Sequence, residues 1–235
     1  MVDFGTDLSI TYVMGGLARQ FEKPASMIVP WLDASERSGM PVDPRLSAQA
    51  PLSSSYPACM AVKAAEEQGA DVAGRYLRAL REGLMCFRRK LDTVEALVSE
   101  ARDAGLDAAR FRASLESNAI VEAFGADLEE TRSVEGMVLP SVRFEGSSKV
   151  EWVFGKSAYE EWRAAAASVG ASPSGAPLPD PLAAVGRFGR AATVEVATIC
   201  DLPGTRASAE LWELAAELRV QPVHVLTGTL WEPAG

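Results

Sequence analysis

Hydrophobic and polar residues alternate with a period of two on both sides of Gly146-Ser147-Ser148. Val142 and Phe144 alternate with Arg143 and Glu145, and Val150, Trp152 and Phe154 alternate with Glu151 and Val153. Successive side chains of a strand point to opposite faces, so this pattern predicts a β-hairpin. Pro140 stands just before its first strand, where a missing N–H costs the ladder least. A second stretch, Leu8–Val13, is β-branched and aromatic and predicts a strand closed by Gly15-Gly16.

Most of the remaining chain follows the helical period. Pro24–Ser38 reads as a helix stopped by Gly39, with Pro30 able to kink it or shift its start. Met40–Pro57 carries Pro41, Pro44, Pro51, Pro57 and Ser53-Ser54-Ser55, and reads as a loop crossing the surface, either a connector or the wall of a binding site. Helices are then expected over 58–67, 72–90, 93–104, 107–117 and 118–130. Asp92 is positioned to cap the third of these, and Tyr76, Leu77, Leu80, Leu84 and Phe87 form the apolar stripe of the second. Arg75, Arg78, Arg81, Arg88 and Arg89 fall off that stripe and read as a solvated face. An amphipathic helix over 157–168 follows the hairpin.

Residues 169–181, ending in ASPSGAPLPDP, have the composition of a linker. Beyond it, helices over 182–188, 193–200 and 208–219 precede a β-rich tail, PVHVLTGTLW. Three helices followed by a β element have the plan of a winged helix. Counted with Asp180 at its edge, this part has seven acidic residues against four arginines, with Glu210, Glu213 and Glu217 on its last helix, which argues against DNA binding and for an intramolecular or dimer contact.

Composition narrows the chemistry. A hydrophobic content of 48% suffices for a core, and a net charge of −9 disfavours nucleic acid and anionic lipid as partners. No apolar run reaches the length of a membrane span, and the first residues lack the basic and apolar regions of a signal peptide. One histidine, His224, leaves no expected metal site. Three widely spaced cysteines, Cys59, Cys86 and Cys200, suit a reducing cytoplasm better than a disulfide framework. Cys59, in the first turn of its helix after Pro57, is the one catalytic candidate, a weak one; Cys86 and Cys200 read as packed thiols. The five tryptophans read as core residues, and His224 reads as outward-facing.

The order strand, helix, helical insertion, proline loop, hairpin, helix resembles the DsbA-like thioredoxin-fold family, which includes the FrnE-like proteins and the 2-hydroxychromene-2-carboxylate isomerases. YVMGG at 12–16, ERSGMPVDPRL at 36–46, YPACMAVKAAEEQG at 56–69, YLRALREGLM at 76–85, AGLD at 104–107 and VEGMVLPSVRF at 134–144 carry the likeness. It implies an α/β, thioredoxin-like domain over 1–168 with a helical insert at about 56–130, a linker, and a small winged-helix-like segment over 182–235. It also implies a cis Leu139–Pro140 bond and a substrate-binding loop of Val138, Leu139 and Pro140.

The family's CxxC, or a CxxS or SxxC variant, has no counterpart in this sequence. Leu8–Val13 matches the family's second strand, so Met1 reads as an internal methionine and the fold as N-terminally incomplete. The strands at 8–13 and 141–145 would each lack a ladder partner. The resemblance thus implies a thiol–disulfide oxidoreductase plan with no catalytic residue in this chain. The alternatives are a non-catalytic binding module and a glutathione-dependent isomerase or transferase. No resident cofactor is expected, with glutathione considered only as a cosubstrate. The implied partner is a thiol-bearing small molecule or protein, with a second copy of the chain as a further candidate.

Overall fold

The structure is a computed structural model that describes residues 3–22 and 27–235. In chain order the elements are α1 (Ile28–Ser38), α2 (Leu46–Gln49), α3 (Tyr56–Glu66), α4 (Ala70–Met85), α5 (Val94–Asp103), α6 (Ala108–Leu115) and α7 (Asn118–Ser133). The hairpin β1 (Ser141–Glu145) and β2 (Val150–Phe154) follows, then α8 (Tyr159–Ser168), α9 (Pro181–Phe188), β3 (Ala191–Ala192), α10 (Thr193–Ile199), α11 (Gly204–Ala216), β4 (Val220–Val225) and β5 (Gly228–Pro233).

The element boundaries have local causes. Gly39 takes a left-handed φ of 72° at the end of α1, and its N–H returns to Ser35 O at 2.8 Å. Pro30 sits in the first turn of α1, where no intrahelical N–H is needed. The expected start of that helix at Pro24 lies outside the described residues. Thr93, not Asp92, caps α5, its hydroxyl accepting from Ala96 N–H at 3.3 Å. Asp107 caps α6 and Asp180 caps α9 in the same way.

The chain divides into two compact units. One comprises residues 1–15 and 122–177, the other residues 16–121 and 178–235. In the first, β1 and β2 pair antiparallel, and α8 packs on β2. A Cβ at Gly146 would overlap the carbonyl oxygen of Val169, just past α8, so only glycine fits this turn. Ser141 lies opposite Phe154, Val142 opposite Val153, and Phe144 opposite Glu151. The apolar residues of β1 therefore share a face with Val153, and Val150, Trp152 and Phe154 share the other face with Arg143. The hairpin is apolar on both faces. Phe144 meets Trp162 of α8 edge-on at 6.4 Å, whereas Val150 and Phe154 stay exposed and Trp152 stacks on Phe154 at 5.4 Å.

Residues 8–13 form no strand, contrary to their composition. A strand exists only through its ladder, and among the described residues none pairs with this segment. Its near end is held differently: Met14 N–H donates to the Asp127 carboxylate at 2.8 Å.

In the second unit, Tyr76 and Phe111 cross edge-on at 5.2 Å among Leu80, Leu97 and Val62, all buried. The C-terminal part has the element order helix, strand, helix, helix, hairpin, with its sheet in the order β3-β5-β4, which is the winged-helix plan. Leu211, Val185, Val196 and Trp231 fill its centre.

Cys86 of the insert packs with Ala192 and Leu230, so helical insert and C-terminal part share a core. An ion-pair lattice closes over that junction. Glu82 accepts from Arg78 and from Arg190 (2.9 Å), Arg78 also holds Glu195, and Arg190 also holds Glu232 at 2.6 Å. The Phe87 ring lies 5.1 Å beneath Arg190. Arg75, Arg81, Arg88 and Arg89 are exposed, as a solvated face requires, whereas Arg78 is half-buried; Arg78, Arg88 and Arg89 also pair with the buried carboxylates of Glu82, Asp43 and Glu100.

The stretch after α1 is not a surface loop throughout. Pro41–Pro44, Leu46 and Ser47 are buried, and partners satisfy the backbone there. Val42 N–H donates to Thr227 Oγ1 at 2.7 Å, Asp43 N–H to Met85 O at 2.6 Å, and Cys86 Sγ to Pro41 O at 3.2 Å.

Candidate functional site

The residues singled out as substrate-binding, Val138, Leu139 and Pro140, lie between α7 and β1. The Leu139–Pro140 bond is cis. Two glycines shape the loop from behind. A Cβ on Gly15 would stand 3.1 Å from Leu139 Cδ1 and 3.3 Å from Thr131 Cγ2, and a Cβ on Gly155 would stand 3.4 Å from Val138 Cγ2. Gly155, at a φ of +67°, also supplies a left-handed backbone after β2. Ser141 Oγ donates to Val138 O and ties the loop to the first residue of β1. Val138 and Leu139 remain 50% and 53% exposed, so the loop shows an apolar ledge with a fixed base.

This ledge runs into an open strand edge. β1 has one ladder partner, β2, and its other edge carries no strand among the described residues. Arg143 flanks it, paired with Glu130 at 3.3 Å and Glu145 at 3.2 Å. On the side of α8 an open cleft of about 530 Å³ lies between that helix and β2, lined by Glu151, Val153, Glu161 and Ala165 among others.

No cysteine belongs to this unit. Cys59, Cys86 and Cys200 all fall in the other one, and none of them is in a disulfide. Burial first, and Glu82 next, push the Cys86 thiol up to about 11; burial, Asp180 and Glu210 do the same for Cys200. Neither supplies thiolate at neutral pH. Cys59 is half-buried in the first turn of α3, its N–H bonded to Ser55 O at 3.2 Å. The structure brings together the three loop residues and does not bring a thiol to them within their unit. Among the described residues no group of His, Cys, Asp and Glu is arranged to hold a metal.

One further surface feature departs from expectation. Trp212 was expected in the core and is 47% exposed. It rests edge-on upon buried Trp231 at 4.9 Å and beside exposed His224 at 6.4 Å. The signal for this was available: Trp212 shares its helical face with Ala209 and Ala216, not with Leu211.

A family model described as thioredoxin matches residues 1–155. The chain belongs to the thioredoxin family. The ClpXP adapter protein SpxH of Shouchella clausii is 30% identical over 210 residues, covering 86% of this chain and 68% of that protein. The SpxH of Halalkalibacterium halodurans is 28% identical over 205 residues, 86% of this chain and 67% of that protein. A chain of known structure from Nitrosomonas europaea, assigned as a protein disulfide isomerase, superposes with a TM-score of 0.58 at 16% identity, over 66% of this chain and 78% of that one. The fold is thioredoxin-like, and both of these sequence relatives are named as ClpXP adapter proteins. No helix among the described residues is long and apolar enough to cross a membrane.

Proposed function

We propose that this chain is a cytoplasmic adapter that holds a client protein for the ClpXP protease, using the Pro140 loop and the open edge of β1 as its client-binding surface. One observation carries the reading: the unit with the exposed Val138–Leu139 ledge and the unpaired strand edge contains no cysteine. A thioredoxin-type groove without a nucleophile can recognise an extended segment but cannot exchange a disulfide with it. Backbone groups of β1 would pair with the client, and Val138 and Leu139 would take its alternate side chains. The sequence likeness to SpxH proteins supports a protein as partner.

The test uses purified ClpXP. Clients captured in a proteolytically inactive protease with and without this chain are first identified, then one is degraded in vitro. The chain is expected to speed its degradation at least about tenfold, and Val138→Asp/Leu139→Asp to return the rate to its unassisted value. No acceleration of any captured client would sink the adapter reading. Insulin reduction by the same preparation, with and without glutathione, is expected at background. Turnover there would restore the oxidoreductase reading, and turnover only with glutathione the isomerase or transferase reading.

A further inference from the structure

α11 occupies the place in the winged-helix plan that a DNA-binding protein gives to its recognition helix. Here its outer surface is built for something else. Thr205, Ala209, Trp212 and Ala216 follow one another at spacings of four, three and four, and all are exposed. Leu211 and Ala207 turn inward and are buried. The outer face is therefore a shallow apolar strip, with two alanines leaving room on either side of one large aromatic. Leu218, 81% exposed, continues it beyond the end of the helix.

Trp212 is not a loose side chain. The edge-on contact with Trp231 at 4.9 Å and the neighbouring His224 ring at 6.4 Å restrict it, and Trp231 is itself anchored by donating to Thr193 Oγ1 at 2.9 Å. A half-exposed tryptophan with a fixed base is the kind of residue that dominates protein interfaces, because little side-chain entropy remains to be lost.

Charge selects the occupant. Glu210, Glu213 and Glu217 form the stripe next to the apolar strip. Arg206 neutralises Glu210, while Arg219 reaches Glu217 only at 3.7 Å. Of the other acids of this part, Glu195 and Glu232 are consumed in the lattice with Arg78 and Arg190, and Asp180 caps α9. An acidic rim repels phosphate backbones and anionic lipid alike.

We infer that the outer face of α11 docks a basic amphipathic helix of a partner protein. The partner's apolar side chains lie against Ala209, Trp212 and Ala216, and its Lys or Arg side chains lie against Glu213 and Glu217. This surface belongs to a different unit from the Pro140 ledge, so the two can be removed separately.

The probe is a fluorescein-labelled Lys/Leu peptide of about 18 residues, its leucines at helical spacing, titrated with the full chain and read by anisotropy. Micromolar binding is expected. Glu213→Lys/Glu217→Lys and Trp212→Ala should each weaken it at least about tenfold. Glu129→Lys/Glu135→Lys, an equal charge reversal on exposed residues elsewhere, and Val138→Asp/Leu139→Asp should each change it less than about twofold. The charge reversal on α11 keeps the test valid if Trp212→Ala unfolds the chain. Equal weakening by Glu129→Lys/Glu135→Lys would overturn the inference, and so would equal binding of a shuffled peptide without an apolar stripe. Sedimentation showing that the free chain dimerises through Trp212 would overturn it as well.

Discussion

Asp43 shows how one side chain can join distant parts of a fold. It is buried in the stretch after α1, and its carboxylate receives Arg45 Nε at 2.8 Å and Arg88 at 3.3 Å. The Arg45 hydrogen bond, ahead of the charges of Arg45 and Arg88, holds its pKa below the ordinary aspartate value against the opposing effect of burial. A carboxylate with a lowered folded pKa binds fewer protons folded than unfolded. Its stabilisation is therefore present above the unfolded value, about 3.9, and is lost as pH falls through the lower folded value. Urea midpoints at pH 7 and pH 3 should show a smaller acid loss for Asp43→Asn than for the unaltered chain. An identical loss in both would remove Asp43 from the acid response. Neither the burial of Asp43 nor its partners could be read from the sequence. PVDP has the composition of an exposed turn, and only a distant segment, the residues just after α4, supplies Arg88. The cis bond at Pro140 was implied only by the family resemblance, since the residues around an X–Pro bond do not fix its isomer, whereas the exposure of His224 was legible in its alternation with Val223 and Val225.

At the scale of elements, local pattern succeeded where the element makes its own structure. The insert helices, the 141–154 hairpin and the winged-helix order carry periodicity, caps and turns in adjacent residues. Leu8–Val13 failed for the opposite reason, since strand propensity has no effect without a neighbour to pair with. The β4–β5 turn gives a third case, an element whose role lies elsewhere. Thr227 Oγ1 accepts the N–H of Val42 at 2.7 Å and contacts Ser35 Oγ at 2.9 Å, so a hairpin turn fixes the chain leaving α1. Val42 is 4% exposed, and its N–H has no water to turn to. Thr227→Val should lower stability by about 1–3 kcal/mol, the cost of a buried donor left without an acceptor. Thr227→Ser, which keeps the hydroxyl, should cost under about 1 kcal/mol. Chemical denaturation separates the two, and equal losses would mean that the methyl group, not the hydrogen bond, holds the turn.

For the whole molecule, covalent order and spatial grouping differ. Residues 178–235 follow a linker in sequence, yet they form one compact unit with residues 16–121. The shared core of Cys86, Ala192 and Leu230 and the lattice around Glu82 provide the adhesion. Glu82 keeps 9% of its side-chain surface, whereas Arg78 and Arg190 keep about a third of theirs. The carboxylate thus gives up more solvent than either guanidinium, and two cations compensate it. An exposed, proline- and glycine-rich segment such as 171–177 is where a protease cuts first. If the covalent link were what held the C-terminal part in place, cutting there would release it. The contacts predict instead that both fragments co-elute as a single species under native conditions and separate in denaturant. Glu82→Ala should make the nicked pair separate at lower urea than the nicked unaltered chain, because Arg78 and Arg190 are then left facing each other across the junction without their shared carboxylate. Release of the C-terminal fragment on nicking alone, in the absence of denaturant, would show that the linker rather than the shared core keeps this unit together.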